Sequence, residues 1–154
     1  MNLEKYYYKT NDAYFDFEFD SVGPKGVIHK IARFSSIGQS VYNFGFGDLN
    51  KSTGEISDTV VSNNSDGDKV LATVASIVHD FTAVYMHAAV FIRGTSIART
   101  RWYQMGISRH WTEIDKEFEI LGLKSEEWEP FRRGVNYQAF LGRRKTSFLF
   151  EPFL

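Results

Sequence analysis

Cysteine is absent from the 154 residues, which excludes disulfides, thiolate zinc sites and cysteine nucleophiles together. Histidine is sparse, with four residues, none in an H-x-x-x-H or H-E-x-x-H spacing that places two ligands on one helical face. No metal site and no cofactor are therefore expected. Charge of either sign is not in excess: eighteen basic against nineteen acidic side chains leave −1, so any attraction for polyanions must be local. No apolar run approaches the 18 or so residues that cross a bilayer, and Met1 to Lys9 carries no apolar signal core. These absences lead to the expectation of a cytoplasmic protein with no membrane partner. Low-complexity runs, repeats and linkers are missing too, which favours a single domain over residues 1–145.

What is abundant is aromatic area, with fourteen Phe, eight Tyr and three Trp. Such residues suit pleated, half-buried surfaces. From Tyr14 to Phe19 the chain alternates, setting Phe15, Phe17 and Phe19 against Tyr14, Asp16 and Glu18, the period of a strand. Gly23-Pro24-Lys25-Gly26 then reverses it into a second strand, Val27 to Phe34. Val41 to Phe46 and Glu55 to Val61 complete an expected four-stranded antiparallel meander. Val70, Leu71, Val74, Ile77, Val78, Phe81, Val84 and Tyr85 recur at spacings of three and four, predicting a long amphipathic helix capped by Ser65 or Asp66. Lys69, Thr73, Ser76 and Asp80 are placed on its other side.

Beyond it the pattern predicts a strand at Ala88 to Arg93, a helix from Ile97 to Met105 ended by Gly106, and one or two helical turns over Ser108 to Lys116. A closing strand pair, Phe118 to Leu123 and Val135 to Leu141, flanks a polar loop from Lys124 to Gly134. The fold class is thus α+β, in the order ββββα-βα(α)ββ. Residues 146–154 form an apolar tail with Phe148, Leu149, Phe150, Phe153 and Leu154, expected to dock on the domain, a homodimer mate or a protein partner being the alternatives.

Four stretches carry a family resemblance: Ser21-Val22-Gly23-Pro24-Lys25-Gly26, Val61-Ser62-Asn63-Asn64 through Asp68 to Ala75, Ala98-Arg99-Thr100-Arg101-Trp102-Tyr103-Gln104-Met105-Gly106-Ile107, and Trp128-Glu129-Pro130-Phe131 through Gly134 to Tyr137. Together they resemble a family of small, functionally uncharacterised bacterial domains, over Tyr14 to Lys145. The resemblance implies one domain and no particular reaction. In order of elements alone, the meander and helix are similar to Whirly-type single-stranded-DNA-binding regulators, without their lysine-rich motif.

The candidate site is the junction of strand and helix at Arg93, Gly94 and Thr95. Thr95, Arg99 and Tyr103 fall four apart and share a helical face, while Ala98, Trp102 and Met105 form the stripe expected to pack inward. A helix N-terminus offers unpaired N–H groups and partial positive charge; Thr95 adds a hydroxyl and Arg99 a planar fork for phosphate or carboxylate. Arg93 and Arg101 supply supporting charge, and Gly94 permits close approach. The structural alternative is that Thr95 or Ser96 only caps the helix, with Arg99 and Arg101 paired to Asp115, Glu117 or Glu119 or spread over aromatics.

Arg132, Arg133, Arg143, Arg144 and Lys145, with Tyr137 and Phe140 among them, form a second basic group of the kind single-stranded nucleic acid uses, or an ordinary charged sheet edge. His110, beside Arg109 and near Glu113 and Asp115, is the candidate acid–base residue for metal-independent phosphodiester cleavage. No G-x-x-x-x-G-K-[ST] phosphate loop occurs. Three functions stay open: a non-catalytic module binding single-stranded nucleic acid or a phosphorylated small molecule, which is preferred; a toxin-like nuclease or hydrolase; and an interaction or self-associating domain.

Overall fold

The computed structural model describes residues 4–57 and 63–145. Twelve elements appear along them: β1 (Lys9–Thr10), β2 (Asp16–Gly23), β3 (Gly26–Gly38), β4 (Val41–Leu49), β5 (Ile56–Ser57), α1 (Gly67–Val84), β6 (Ala89–Ile92), α2 (Ile97–Arg109), α3 (Trp111–Glu117), β7 (Phe118–Lys124), β8 (Glu127–Pro130) and β9 (Ala139–Arg144). The fold is α+β. One mixed sheet runs β1–β2–β3–β4–β6–β9–β7–β8, with β5 on β4.

The alternation that predicts β2 also decides its facing. Phe17 and Phe19 are buried while Glu18 and Asp20 are exposed, and the register Phe17↔Ala32 and Phe34↔Phe44 carries one apolar row across β2, β3 and β4. Onto that row α1 lays Val70, Val74, Ile77 and Phe81, all buried. Phe81 stacks flat on Phe34, with ring centroids 3.8 Å apart. Each such side chain contributes about 1.5–3 kcal/mol by leaving water, and a stacked pair adds about 0.5–1.5 kcal/mol.

The connection through α1 returns the chain parallel to β4, so that β6 lies beside it with Val41↔Ala89 and Phe44↔Ile92. β9 then pairs antiparallel with β6, and β7 with β9. The expected closing pair exists and extends the sheet beyond β6 in reversed order, β9 before β7, with β8 outermost. All three helices pack on the face that carries Phe44, Val90 and Phe140.

Several expectations are corrected. Neither Ser65 nor Asp66 caps α1 through its side chain; the Asp66 carboxylate instead accepts from Tyr6 Oη at 2.6 Å and Ser21 Oγ at 2.5 Å. Thr73 does not face solvent. It is wholly buried because the amino-terminal segment straps α1: Tyr6 N–H donates to Thr73 Oγ1 at 2.8 Å, and Tyr8 Oη reaches Asp80 and Ser76. The loop after Lys124 holds a strand, β8, joined to β7 by a two-residue turn in which Ser125 and Glu126 both take positive φ, 51° and 67°. That is the backbone usually supplied by Asn-Gly.

The final strand begins at Ala139 rather than Val135. Gln104 holds the preceding segment out of the sheet, its Nε2 donating to Val135 O and its Oε1 accepting from Tyr137 N–H at 3.0 Å. Gly106 does not end α2, which runs on to Arg109. A Cβ there would stand 3.1 Å from Leu71 Cδ2, so the glycine sets how closely α2 crosses α1. Of the expected fourth strand, Glu55 lies just before the strand and Ile56–Ser57 form it, while residues 58–61, like the apolar tail from Thr146 to Leu154, lie outside the described residues.

Candidate functional site

At the end of β6, Gly94 nests against the first turn of α2. Its N–H donates to Thr100 Oγ1 at 3.0 Å, and that hydroxyl donates to Ser96 O at 3.2 Å. A Cβ on residue 94 would lie 2.5 Å from Thr100 N and 2.6 Å from Arg99 Cβ. The close approach that Gly94 permits is therefore taken up by the chain itself. Ser96, not Thr95, caps α2, accepting from Arg99 N–H at 3.1 Å.

Tyr103 does not join Thr95 and Arg99 on an open face. It is buried against Phe44, ring to ring at 6.1 Å. The inward side of α2 is Thr100, Tyr103 and Gln104, whereas Ala98 and Met105, expected inside, are exposed. The reason is polar: Thr100 and Gln104 are fixed to Gly94 and to the segment before β9, and these bonds set the rotation of the helix. Arg99 lies across the rings of Phe46 and Trp102, at 5.7 and 5.6 Å. Its Nη1 is buried with no hydrogen-bond partner. Arg93 and Arg101 are exposed, and the ion pairs among the described residues involve none of these three arginines.

The second basic group is largely spent internally. Arg132 pairs with Glu129, Arg143 with Glu119 and Lys145 with Asp115, and Arg133 donates to Ser108 O. Tyr137 and Phe140 are core residues, 5% and 0% exposed, and present no ring for a base to stack on. Burial and the Glu129 hydrogen bond raise the Tyr137 phenol above its ordinary range, while donation from Arg132 and Tyr137 holds the Glu129 carboxyl below its own.

His110 lies at the joint of α2 and α3. Eleven residues separate it from Arg99, about 16 Å along a helix, so the candidate base and the candidate phosphate-binding fork occupy opposite ends of α2. What His110 adjoins is a feature absent from the sequence reading, a cavity of about 240 Å³ between the three helices and the sheet. Leu71, Val74, Ala75 and Val78 of α1 form one wall, Tyr103, Gly106 and Ile107 of α2 another, and Ile114 closes from α3. Phe44, Val90, Ile92, Ile120 and Phe140 make the floor. Leu71 and Val78 sit on the apolar stripe yet are only half-buried, because they face this space.

Polar groups gather at its mouth. His79 Nε2 meets Glu117 Oε2 at 3.1 Å, bridging α1 to α3. Arg144 braces the bridge from behind, donating to His79 O at 2.8 Å and to Thr82 Oγ1 at 3.1 Å. His110 and Glu113 complete the rim. An apolar body with a few convergent polar groups is the chemistry of a small-molecule pocket. Among the described residues no cluster of His, Asp and Glu is placed to hold a metal ion, and no helix is long and apolar enough to cross a membrane.

A model of a protein family matches residues 2–145. The chain belongs to DUF6934, a family of unknown function. No curated protein and no solved structure matches it. Every residue that lines the cavity of this DUF6934 chain falls inside the matched span, as does the junction of β6 and α2.

Proposed function

We propose that this DUF6934 chain is a non-catalytic binding module that takes a small molecule with an apolar body into the cavity between α1, α2, α3 and the sheet. The observation that carries the reading is the cavity itself: about 240 Å³ of space with apolar walls and a polar rim. An apolar cavity of about 150 Å³ suffices to bind benzene, so a substituted ring or a short branched chain fits. The test is a titration of the full chain with toluene or indole, followed by methyl resonances of Leu71, Val74, Val78 and Ile107. Saturable shifts confined to these methyls, lost in Ala75→Leu while the melting temperature holds, support the reading. Shifts that are absent, or that survive Ala75→Leu unchanged, overturn it.

A second reading keeps the junction of β6 and α2 as an anion site for a phosphorylated small molecule or single-stranded nucleic acid. It is favoured by one observation, the buried and unpartnered Nη1 of Arg99, with Arg93 and Arg101 nearby in sequence. It predicts that oligonucleotides or phosphorylated metabolites raise the melting temperature in low salt more than in moderate salt. A stabilisation untouched by Arg99→Ala would remove Arg99 as its contact.

A further inference from the structure

The last described residue, Lys145, stands at the mouth of the cavity. Its N–H donates to Glu117 O at 2.8 Å, and Arg144 before it pairs with Phe118 across β9 and β7. Glu117 and Phe118 both line the space. The polar groups of this mouth are already engaged: Glu117 meets His79 at 3.1 Å and Arg144 at 3.9 Å, and Glu113 has a partner of its own. What the cavity offers an occupant is therefore apolar wall, from Leu71, Val78, Ile107, Ile114 and Ile120.

The sequence beyond Lys145 is Thr146-Ser147-Phe148-Leu149-Phe150-Glu151-Pro152-Phe153-Leu154, in which five of nine residues are Phe or Leu. At about 3.3 Å per extended residue, Phe148 can reach about 10 Å from Lys145 and Phe150 about 17 Å. An apolar cavity of about 150 Å³ holds benzene, so the space of about 240 Å³ takes one phenyl ring. The family match covers every residue that lines the cavity and stops at residue 145, so the tail lies beyond the span that carries the cavity. On the premise that the cavity is a ligand site, we propose that this tail is its resident occupant: it turns back over Glu117 and seats the ring of Phe148 or Phe150 in the cavity of its own chain, in competition with the ligand. A tethered ring has an effective concentration on the order of millimolar. Against a dissociation constant on the order of 0.1 mM for such a ring, the tail holds the cavity about nine-tenths of the time and weakens a free probe about tenfold.

The experiment uses the full chain. Because it has no cysteine, Glu151→Cys carries a nitroxide at a single place, and the methyl resonances report which face the label approaches. Ile120 and Gly142 line the cavity, so their neighbours Leu121 and Leu141, paired across β7 and β9, point to the other face of the sheet. The expected result is broadening of Val78, Ile107 and Ile114 methyls in excess of Leu121 and Leu141, relieved by saturating toluene. In Phe148→Ser/Phe150→Ser the toluene midpoint should fall about tenfold; the nitroxide measurement keeps both rings and stands apart from this variant. Broadening that is equal on the two faces or strongest at Leu121 and Leu141, or an unchanged midpoint, would overturn the tail as occupant while leaving the cavity reading intact. Broadening that disappears when labelled chains are diluted with unlabelled ones would assign the tail to a second copy and overturn docking within one chain. Cavity methyls silent to toluene in both the parent and the variant would overturn the cavity reading itself.

Discussion

Replacing Gly94 by alanine tests whether the junction of β6 and α2 is a packed joint. The added Cβ would stand 2.5 Å from Thr100 N and 2.6 Å from Arg99 Cβ. Neither is the loose end of a side chain, since one is helix backbone and the other is fixed to it, so α2 must move as a body. Overpacking of this kind costs about 1–3 kcal/mol. The shift also opens the Gly94 N–H to Thr100 Oγ1 bond, worth about 0.5–1.5 kcal/mol, for a total of about 1.5–4.5 kcal/mol. At roughly 2–4 °C per kcal/mol for a chain of this size, the melting temperature should fall by about 3–18 °C in a calorimetric or circular-dichroism melt. Gly38→Ala, where a Cβ meets nothing within 4 Å, is the control and should stay within about 0.5 kcal/mol of the parent. A Gly94→Ala melt indistinguishable from the control would refute the packing argument and return Gly94 to the role of leaving room for a ligand.

Two other perturbations probe contacts equally specific to this fold. Asn64 is 2% exposed and pins the turn between β2 and β3, its Nδ2 donating to Gly26 O at 2.9 Å and its Oδ1 accepting from Lys25 N–H at 2.7 Å; Asn64→Ala should cost about 2–3 kcal/mol in urea unfolding with an unchanged slope, and a loss under about 0.5 kcal/mol would deny the pin. Burial first, and then the hydrogen bond to Asp80, push the Tyr8 phenol up to about 12 from 10.0. The folded state thus keeps a proton that the unfolded chain releases, so this contribution is whole below about pH 10 and is lost as pH rises toward about 12. Tyr8→Phe should flatten that alkaline decline of the urea midpoint, and an identical decline in both proteins would contradict it.

How much of this was legible depended on whether a side chain reported its own surroundings. β2, β3, β4 and α1 follow from aromatic alternation and from apolar spacing of three and four, because there the buried face is mainly apolar, with Ser21, Lys30, Thr73 and Thr82 as its polar members. α2 misled for the opposite reason: its inward side carries Thr100 and Gln104, polar residues buried because each meets a partner distant in sequence. β8 was hidden by a turn built from Ser125 and Glu126, whose side chains do not advertise positive φ. Thr73 gave no sign that the amino-terminal strap would cover it. At the proposed anion site, the sequence displays Gly, Thr and Arg, but that the space beside Gly94 is filled by Arg99 and Thr100 is a matter of tertiary packing. The cavity lay furthest from view. It is a gap bounded by three helices and four strands, and no single segment encodes a space that all of them leave open.

The most direct test of the cavity as a ligand site is the methyl-resolved titration of the full chain and of Ala75→Leu with a small aromatic probe. The account predicts saturable shifts at Leu71, Val74, Val78 and Ile107 in the parent, and their loss in the filled variant with its melting temperature retained. Unmoved methyls in the parent, or equal shifts in both proteins, would contradict it.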